Sequence, residues 1–224
     1  LFTANGSFAQ MTWNQACSFA GTTSSYIAVP SASQLNITGN FTVEMWINPD
    51  SSAGGAQILL QKRAVGNNVG YTLYLSGGKV AIRTNSSTRL VGKTVIPNHQ
   101  WTHVAGTYTS STGTFRVIIN GVQDTTSVFA SADPISNTDS LLIGVGNNNP
   151  FRGMMDEIRI WNIDLNAAAV SQVMRLSLGT NSGFYTGLVA SFTFQNSNPS
   201  GTLFSLNDWS GNDLNGVNRG VGAV

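Results

Sequence analysis

The chain is short of charge, histidine and cysteine, and each shortage excludes something. Asp, Glu, Lys and Arg make up 9% of its 224 residues, against roughly a quarter in an ordinary soluble domain. The net charge is +1, so the chain has no field to steer a polyanion, and nucleic acid is excluded as a partner. The single cysteine, Cys17, rules out an internal disulfide. It lies in the apolar stretch Ala16-Cys17-Ser18-Phe19 and reads as a buried strand residue. No apolar run approaches the ~20 residues of a membrane-spanning helix. Phosphate loops, Gly-x-Ser-x-Gly and His-Glu-x-x-His are all missing. His99 and His103 are the only histidines, and neither has a nucleophile or carboxylate beside it in a motif, so His103 reads as structural.

What is present is a surface of Asn, Ser, Thr, Gln and 24 Gly over a 41% hydrophobic interior. That composition predicts a folded, secreted or cell-surface domain rather than a disordered one. The stretch Leu1–Gln10 resembles the tail of a signal peptide cleaved after Ala9, without the charged n-region, and is read as mature chain.

Strand signals dominate. Phe41–Asn48 alternates strictly, with Phe41, Val43, Met45 and Ile47 on one face and Glu44 and Trp46 on the other. Ile58–Leu60, Gly70–Leu75, Lys79–Arg83, Trp101–Tyr108, Phe115–Ile119, Leu141–Gly144 and Met155–Trp161 follow. Ser76-Gly77-Gly78 predicts a tight hairpin, and so does Asn120-Gly121, whose residues both tolerate φ > 0. One helix is predicted from Asn166, as N-cap, through Arg175, with Gly179 able to end it. Many short strands without a βαβ rhythm predict an all-β, two-sheet antiparallel sandwich with one short helix.

Four motifs then carry a resemblance. Phe41–Pro49, Gln100–Ala105, Val117–Gly121 and Phe151–Asn162 resemble, in order, strands of the concanavalin A-like, laminin G-like (pentraxin-like) jelly-roll domains of secreted bacterial proteins. The resemblance runs from about Cys17 to Gly179 and implies a single domain over 1–224 with its core at 17–179. The segment 187–224, with Gly187–Phe192 and Asp208–Gly216, looks like one that often precedes such a domain. It either folds back in cis as edge strands or joins a neighbouring module. The cis arrangement is preferred, because a lone edge exposes unpaired backbone.

The resemblance also implies a structural Ca²⁺. Asp156 stands where the family supplies a side-chain oxygen, and the loop from Gly21 to Ser25 stands where it supplies carbonyl oxygens, a hard-donor set suited to Ca²⁺. Ala20 occupies a position where the family usually has Asp. The related glycoside hydrolases carry Glu-x-Asp-x-x-Glu, and this chain has no such run. Asp156 and Glu157 are adjacent on a strand and so point to opposite faces. By alternation Glu157, Arg159 and Trp161 share a face, and Glu44 is placed to pair with Arg159 across the sheet as a structural ion pair.

The function expected is a non-catalytic, lectin-like carbohydrate-binding and adhesion module whose partner is a glycan or cell-surface ligand. The alternative is a structural or protein-binding module assembling with neighbouring modules or copies of itself through its terminal strands. Sugar contacts would come from loops at the rim or from a sheet face, through aromatic stacking and planar amide or guanidinium forks. The candidates are Arg63, Asn67, Asn68, Tyr71, Arg89, Asn147, Asn148, Asn149 and Arg152, with Asn85, Phe151, Tyr74 and Arg83 behind them. This version of the site requires an aromatic ring exposed beside Asn or Arg.

Overall fold

The computed structural model describes residues 15–51, 55–63, 66, 68–130, 132–176, 185–194 and 206–224. The expectations placed on Leu1–Gln10, Asn67 and Gly179 lie outside these residues.

Two antiparallel sheets face each other. The strands are β1 Cys17–Ala20, β2 Tyr26–Val29, β3 Phe41–Pro49, β4 Ala56–Arg63, β5 Gly70–Ser76, β6 Lys79–Thr84, β7 Ser87–Val95, β8 Thr102–Thr109, β9 Thr114–Ile119 and β10 Val122–Val128. β11 Leu141–Ile143, β12 Arg152–Trp161, the helix α1 Ala167–Val173, β13 Leu188–Phe192, β14 Val217–Arg219 and β15 Gly222–Ala223 complete the order. One sheet runs β10-β9-β8-β3-β12-β1-β15, with β13 also paired to β12; the other runs β14-β2-β11-β4-β5-β6-β7. This is the jelly-roll sandwich with one short helix that the alternation predicts.

The core is the space between the sheets. Phe41, Val43, Met45 and Ile47 of β3 meet Leu73, Leu75, Val80 and Ile82 of the opposite sheet in one apolar cluster. Apolar burial of this kind contributes about 25 cal/mol per Å² and drives the collapse. Both predicted hairpins are present, with Gly77 and Gly78 at φ 55° and 77° and Asn120 and Gly121 at 50° and 77°. These left-handed pairs match the strand twist. β7 and β10 were not legible as strands, because their mixed Ser, Thr, Arg, Gln and Asp residues follow no apolar alternation.

The C-terminal strands pair within the chain: β13 with β12, β14 with β2 and β15 with β1. β1 and β13 share one side of β12, β1 against Arg152–Met155 and β13 against its far end. Between the two stretches β12 bulges, and Glu157 sits at φ 50°, a left-handed conformation that glycine normally takes.

Candidate functional site

Two polar assemblies lie on the outer faces of the sandwich, one on each sheet. The first is on the β3–β12 sheet beneath α1. The bulge shifts the register of β12 so that Arg159 falls opposite Glu44, as the alternation predicts. Arg159 Nη1 lies 3.4 Å from Glu44 Oε1, and its Nη2 lies 2.5 Å from Glu157 Oε2. Trp161 Nε1 donates to Glu44 Oε1 at 3.1 Å, and His103 Nε2 is 3.3 Å from Glu44 Oε2. Burial would raise the Glu44 carboxyl, but His103 and Arg159 outweigh it and hold it below the usual carboxylate range.

The helix seals this cluster. Asn166 Oδ1 accepts from the Ala169 N–H at 2.9 Å as the expected N-cap. Arg159 donates to the carbonyls of Val173 and Leu176, and Trp46 Nε1 to that of Met174 at 2.9 Å. The guanidinium thus caps the helix C-terminus, where cations are favoured. The side chains of Glu44, His103 and Arg159 are 0% exposed and that of Glu157 is 2%. Both glutamates are engaged by one arginine under a helix. The cluster is scaffold.

The bulge falls at these acids: Asp156 stands opposite Trp46 and Arg159 opposite Glu44, with the register shift between them. The Glu157 N–H donates to Asp156 Oδ1 at 2.7 Å. Burial, then the Glu157 charge, push the Asp156 carboxyl up to about 8. Burial also raises Glu157, against the pull of Arg159.

The three residues implicated in calcium binding do not converge. Ala20 pairs with Arg152, and the Arg152 side chain stands against Gly21. Asp156 is four residues further along β12 from Arg152, about 13 Å at the rise of an extended strand. Ser25 Oγ is turned to the Ala20 N–H, from which it accepts at 2.9 Å. The set does not fit the ion, because no single shell takes oxygens from both ends of that strand.

The second assembly is on the outer face of the β4–β5–β6 sheet. Leu60, Leu73 and Ile82 point into the core, so Gln61, Thr72 and Arg83, next to them in sequence, point out. The register sets these three side by side, Gln61 opposite Thr72 and Thr72 opposite Arg83, with Thr88 beyond. Strand spacing makes this a row with steps of about 4.8 Å. Arg63 stands one step along β4 on the same face. Tyr74 stands one step along β5; its hydroxyl bonds Thr88 Oγ1 at 2.8 Å, and its ring lies under Arg83 at 4.9 Å.

Four polar atoms of this face are buried without a protein partner: Gln61 Oε1, Thr72 Oγ1, Arg63 Nη1 and Arg83 Nε. Such groups cost about 1–3 kcal/mol each when left unsatisfied, so the four on this face, like those on Glu44, His103, Thr107, Arg159 and Ser191 of the other sheet, each need an account. Gln61 and Thr72 are 1% and 2% exposed, whereas Arg83 is half-buried and Thr88 exposed. The loop through Gly146 covers Gln61, whose Oε1 a side chain at 146 would strike. The row is therefore closed at Gln61 and opens toward β7. Burial, then the charge of Arg83, lower the affinity of Arg63 for its proton.

The sequence-predicted ligand residues divide between several places. Arg63 joins the row; its Nε donates to the Asn85 carbonyl at 3.0 Å. Asn68 is half-buried at φ 60°, near the same strand end. Asn147 and Asn148 are exposed in left-handed conformations, and Asn149 closes their turn on the Asn147 carbonyl at 2.8 Å. This loop also passes over Gln61, bordering the closed end of the row. Arg152 is exposed beside Asp50, Nε to Oδ2 3.1 Å.

Two candidates are corrected. Tyr71 is 1% exposed, stacked on Phe41 at 5.4 Å with its hydroxyl on the Leu35 carbonyl, so it is core. Arg89 faces away from the row: its Nε donates to Thr84 Oγ1 at 2.9 Å, and its guanidinium lies over Phe129. Phe151, at 0%, also packs inside, edge-on to Phe19. The exposed aromatic is not found either: among the described residues every aromatic ring is buried or half-buried. Gln61 and Thr72 were missed. Thr72 alternates with Tyr71 and Leu73 on β5, whereas Gln61 opens the unbroken polar run Gln61-Lys62-Arg63, in which no alternation separates the two faces.

These features belong to a chain whose residues 21–171 match the family model of the concanavalin A-like lectin/glucanases superfamily. The chain belongs to that superfamily. Nothing matches among the curated proteins. Among solved structures, a candidate carbohydrate-binding protein from Bacteroides ovatus superposes with a TM-score of 0.74 at 21% identity over 96% of this chain, which spans 60% of that protein. A native heptameric SAP-like pentraxin from Limulus polyphemus gives 0.61 at 19% identity, covering 93% of this chain and 94% of its own. Domain 4 of AbnA, an extracellular arabinanase from Geobacillus stearothermophilus, in complex with arabinotriose, gives 0.57 at 24% identity, covering 75% and 81%. At these identities the likeness shows the fold.

Proposed function

We propose that this domain is a non-catalytic carbohydrate-binding module of a secreted or cell-surface protein, and that its ligand lies on the outer face of β4, β5 and β6. The observation that carries the reading is the row of buried, unpartnered polar atoms on Gln61, Thr72, Arg63 and Arg83. An amide, a hydroxyl and two guanidiniums set a few ångströms apart form the donor and acceptor array that sugar hydroxyls match. Polar groups desolvated in advance discriminate strongly, because a ligand that fails to pair them leaves their penalty standing. The described carboxylates beneath α1 are sealed and already engaged, which supports binding without hydrolysis. Domain 4 of the arabinanase, in complex with arabinotriose, and the candidate carbohydrate-binding protein from Bacteroides ovatus carry the same fold.

In the alternative, assembly through the terminal strands, β14 and β15 would act as edges: each pairs within the chain on one side and ends its sheet on the other. The test is a glycan array probed with the purified domain, in calcium and again in chelator. The reading expects calcium-independent binding to a defined glycan class, weakened by Thr72→Val. Absence of binding, or binding untouched by that change, overturns it.

A further inference from the structure

The charge of the row says which sugars it takes. Arg63 and Arg83 stand on one sheet face with β5 between them, and neither belongs to an ion pair among the described residues. By contrast, Arg159 pairs with Glu44 and Glu157, and Arg152 with Asp50. Buried or half-buried guanidiniums without a counter-charge are costly, and the cost is recovered when an anion supplies it. The chain has only 11 Lys and Arg, so two placed together without acid are a local feature, not a sample of a basic surface.

Their free atoms are also the ones that matter. Arg63 Nε is spent on the Asn85 carbonyl, and its Nη1 is unpartnered. Arg83 rests on Tyr74 with Nε unpartnered. A planar carboxylate takes two N–H donors in parallel, whereas a neutral hydroxyl takes one. Thr72 lies opposite Arg83 in the same row, where a ring hydroxyl of the same sugar residue would fall.

Resting on the reading of this face as a sugar site, we infer that its ligand is an acidic saccharide, whose carboxylate bridges Arg63 and Arg83 while a hydroxyl falls toward Thr72. The mutual repulsion of the two arginines, which burial sharpens at Arg63, is relieved by that anion. The open end of the row toward Thr88 admits a chain terminus more readily than the interior of a long polymer.

Titration calorimetry with matched pairs tests this: 3′-sialyllactose against lactose, and digalacturonate against cellobiose, each at low and high salt. The expected result is that one acidic member binds at least tenfold tighter than its neutral partner, and that the margin shrinks with salt. Arg83→Gln should remove the margin while leaving the melting temperature within a degree or two, since Arg83 is half-buried and rests on the Tyr74 ring. Arg83→Lys should restore part of it. Equal binding of acidic and neutral members overturns the acidic ligand and leaves the sugar site standing. Binding of neither pair, together with an empty glycan array, overturns both. If sodium sulfate competes as well as the acidic sugar, the face is a bare anion site and the saccharide part falls.

Discussion

Replacing Thr72 by Val separates a binding face from ordinary packing. Thr72 is 2% exposed and its hydroxyl has no partner in the protein. Valine keeps the β-branched shape and the strand preference while exchanging the hydroxyl for a methyl. Relieving an unsatisfied buried hydroxyl returns on the order of 1 kcal/mol. For a domain of this size that is a rise in melting temperature of about 2–4 °C. The same change deletes one hydrogen bond to ligand, about 0.5–1.5 kcal/mol, or roughly a threefold to tenfold loss of affinity. Thr107 is the control: it is equally buried, its Oγ1 is also unpartnered, and it lies on β8 of the other sheet. Thr107→Val should stabilise similarly and leave binding alone. Thermal unfolding and calorimetry against the glycan found on the array give both readings. If Thr72→Val destabilises the domain, or if both variants lose binding alike, the row is not a ligand face.

Further outcomes follow from the cluster beneath α1. The Asp156 carboxyl is raised from 3.8 to about 8, so the fold favours its protonated form; that contribution is whole below about pH 4 and is lost as pH rises to about 8. Denaturant titrations should therefore show stability falling across that window, and Asp156→Asn should flatten the fall and leave the variant more stable than the parent at pH 8. At Glu157, φ 50° favours glycine; Glu157→Gly should be about 1 kcal/mol more stable than Glu157→Ala, both lacking the carboxylate. Arg159→Leu strands Glu44 and Glu157 and uncaps α1, an expected loss of about 3–5 kcal/mol. Adding Glu44→Gln and Glu157→Gln should recover a large share of it, measured by urea unfolding.

How much the sequence discloses differs between fold and site, for a physical reason. Strict alternation in Phe41–Asn48 predicts β3 because one face of an antiparallel strand is packed and the other is not. The same rule, run through Glu157, Arg159 and Trp161, places Glu44 beside Arg159. Two-residue hairpins announce themselves at Gly77-Gly78 and Asn120-Gly121, since few residues accept φ > 0. What alternation does not report is a bulge at a residue other than glycine. Glu157 has no signature, because tertiary contacts hold it: Asp156 takes its N–H, and Arg159 takes its carboxylate.

The candidate site was harder to read because rim loops and sheet faces advertise themselves differently. Asn147, Asn148 and Asn149 stand out in sequence as a run of turn residues, yet Asn149 is spent on the turn itself. Tyr71 carries the right chemistry for a sugar but the wrong parity, its neighbours on β5 alternating so that it enters the core with Leu73 and Leu75. Gln61, Thr72 and Arg83 are separated in sequence, and only the pairing of β4 with β5 and of β5 with β6 makes them adjacent. Their distinguishing property is a missing partner, which belongs to the packed structure and not to any residue type. A register slip of one residue in β5 would bring Tyr71 out and take Thr72 in. The apolar parity of Leu73 and Leu75, which fixes β5 in its sheet, therefore also aligns the polar row, so the core of this sandwich specifies the face on which we place its ligand.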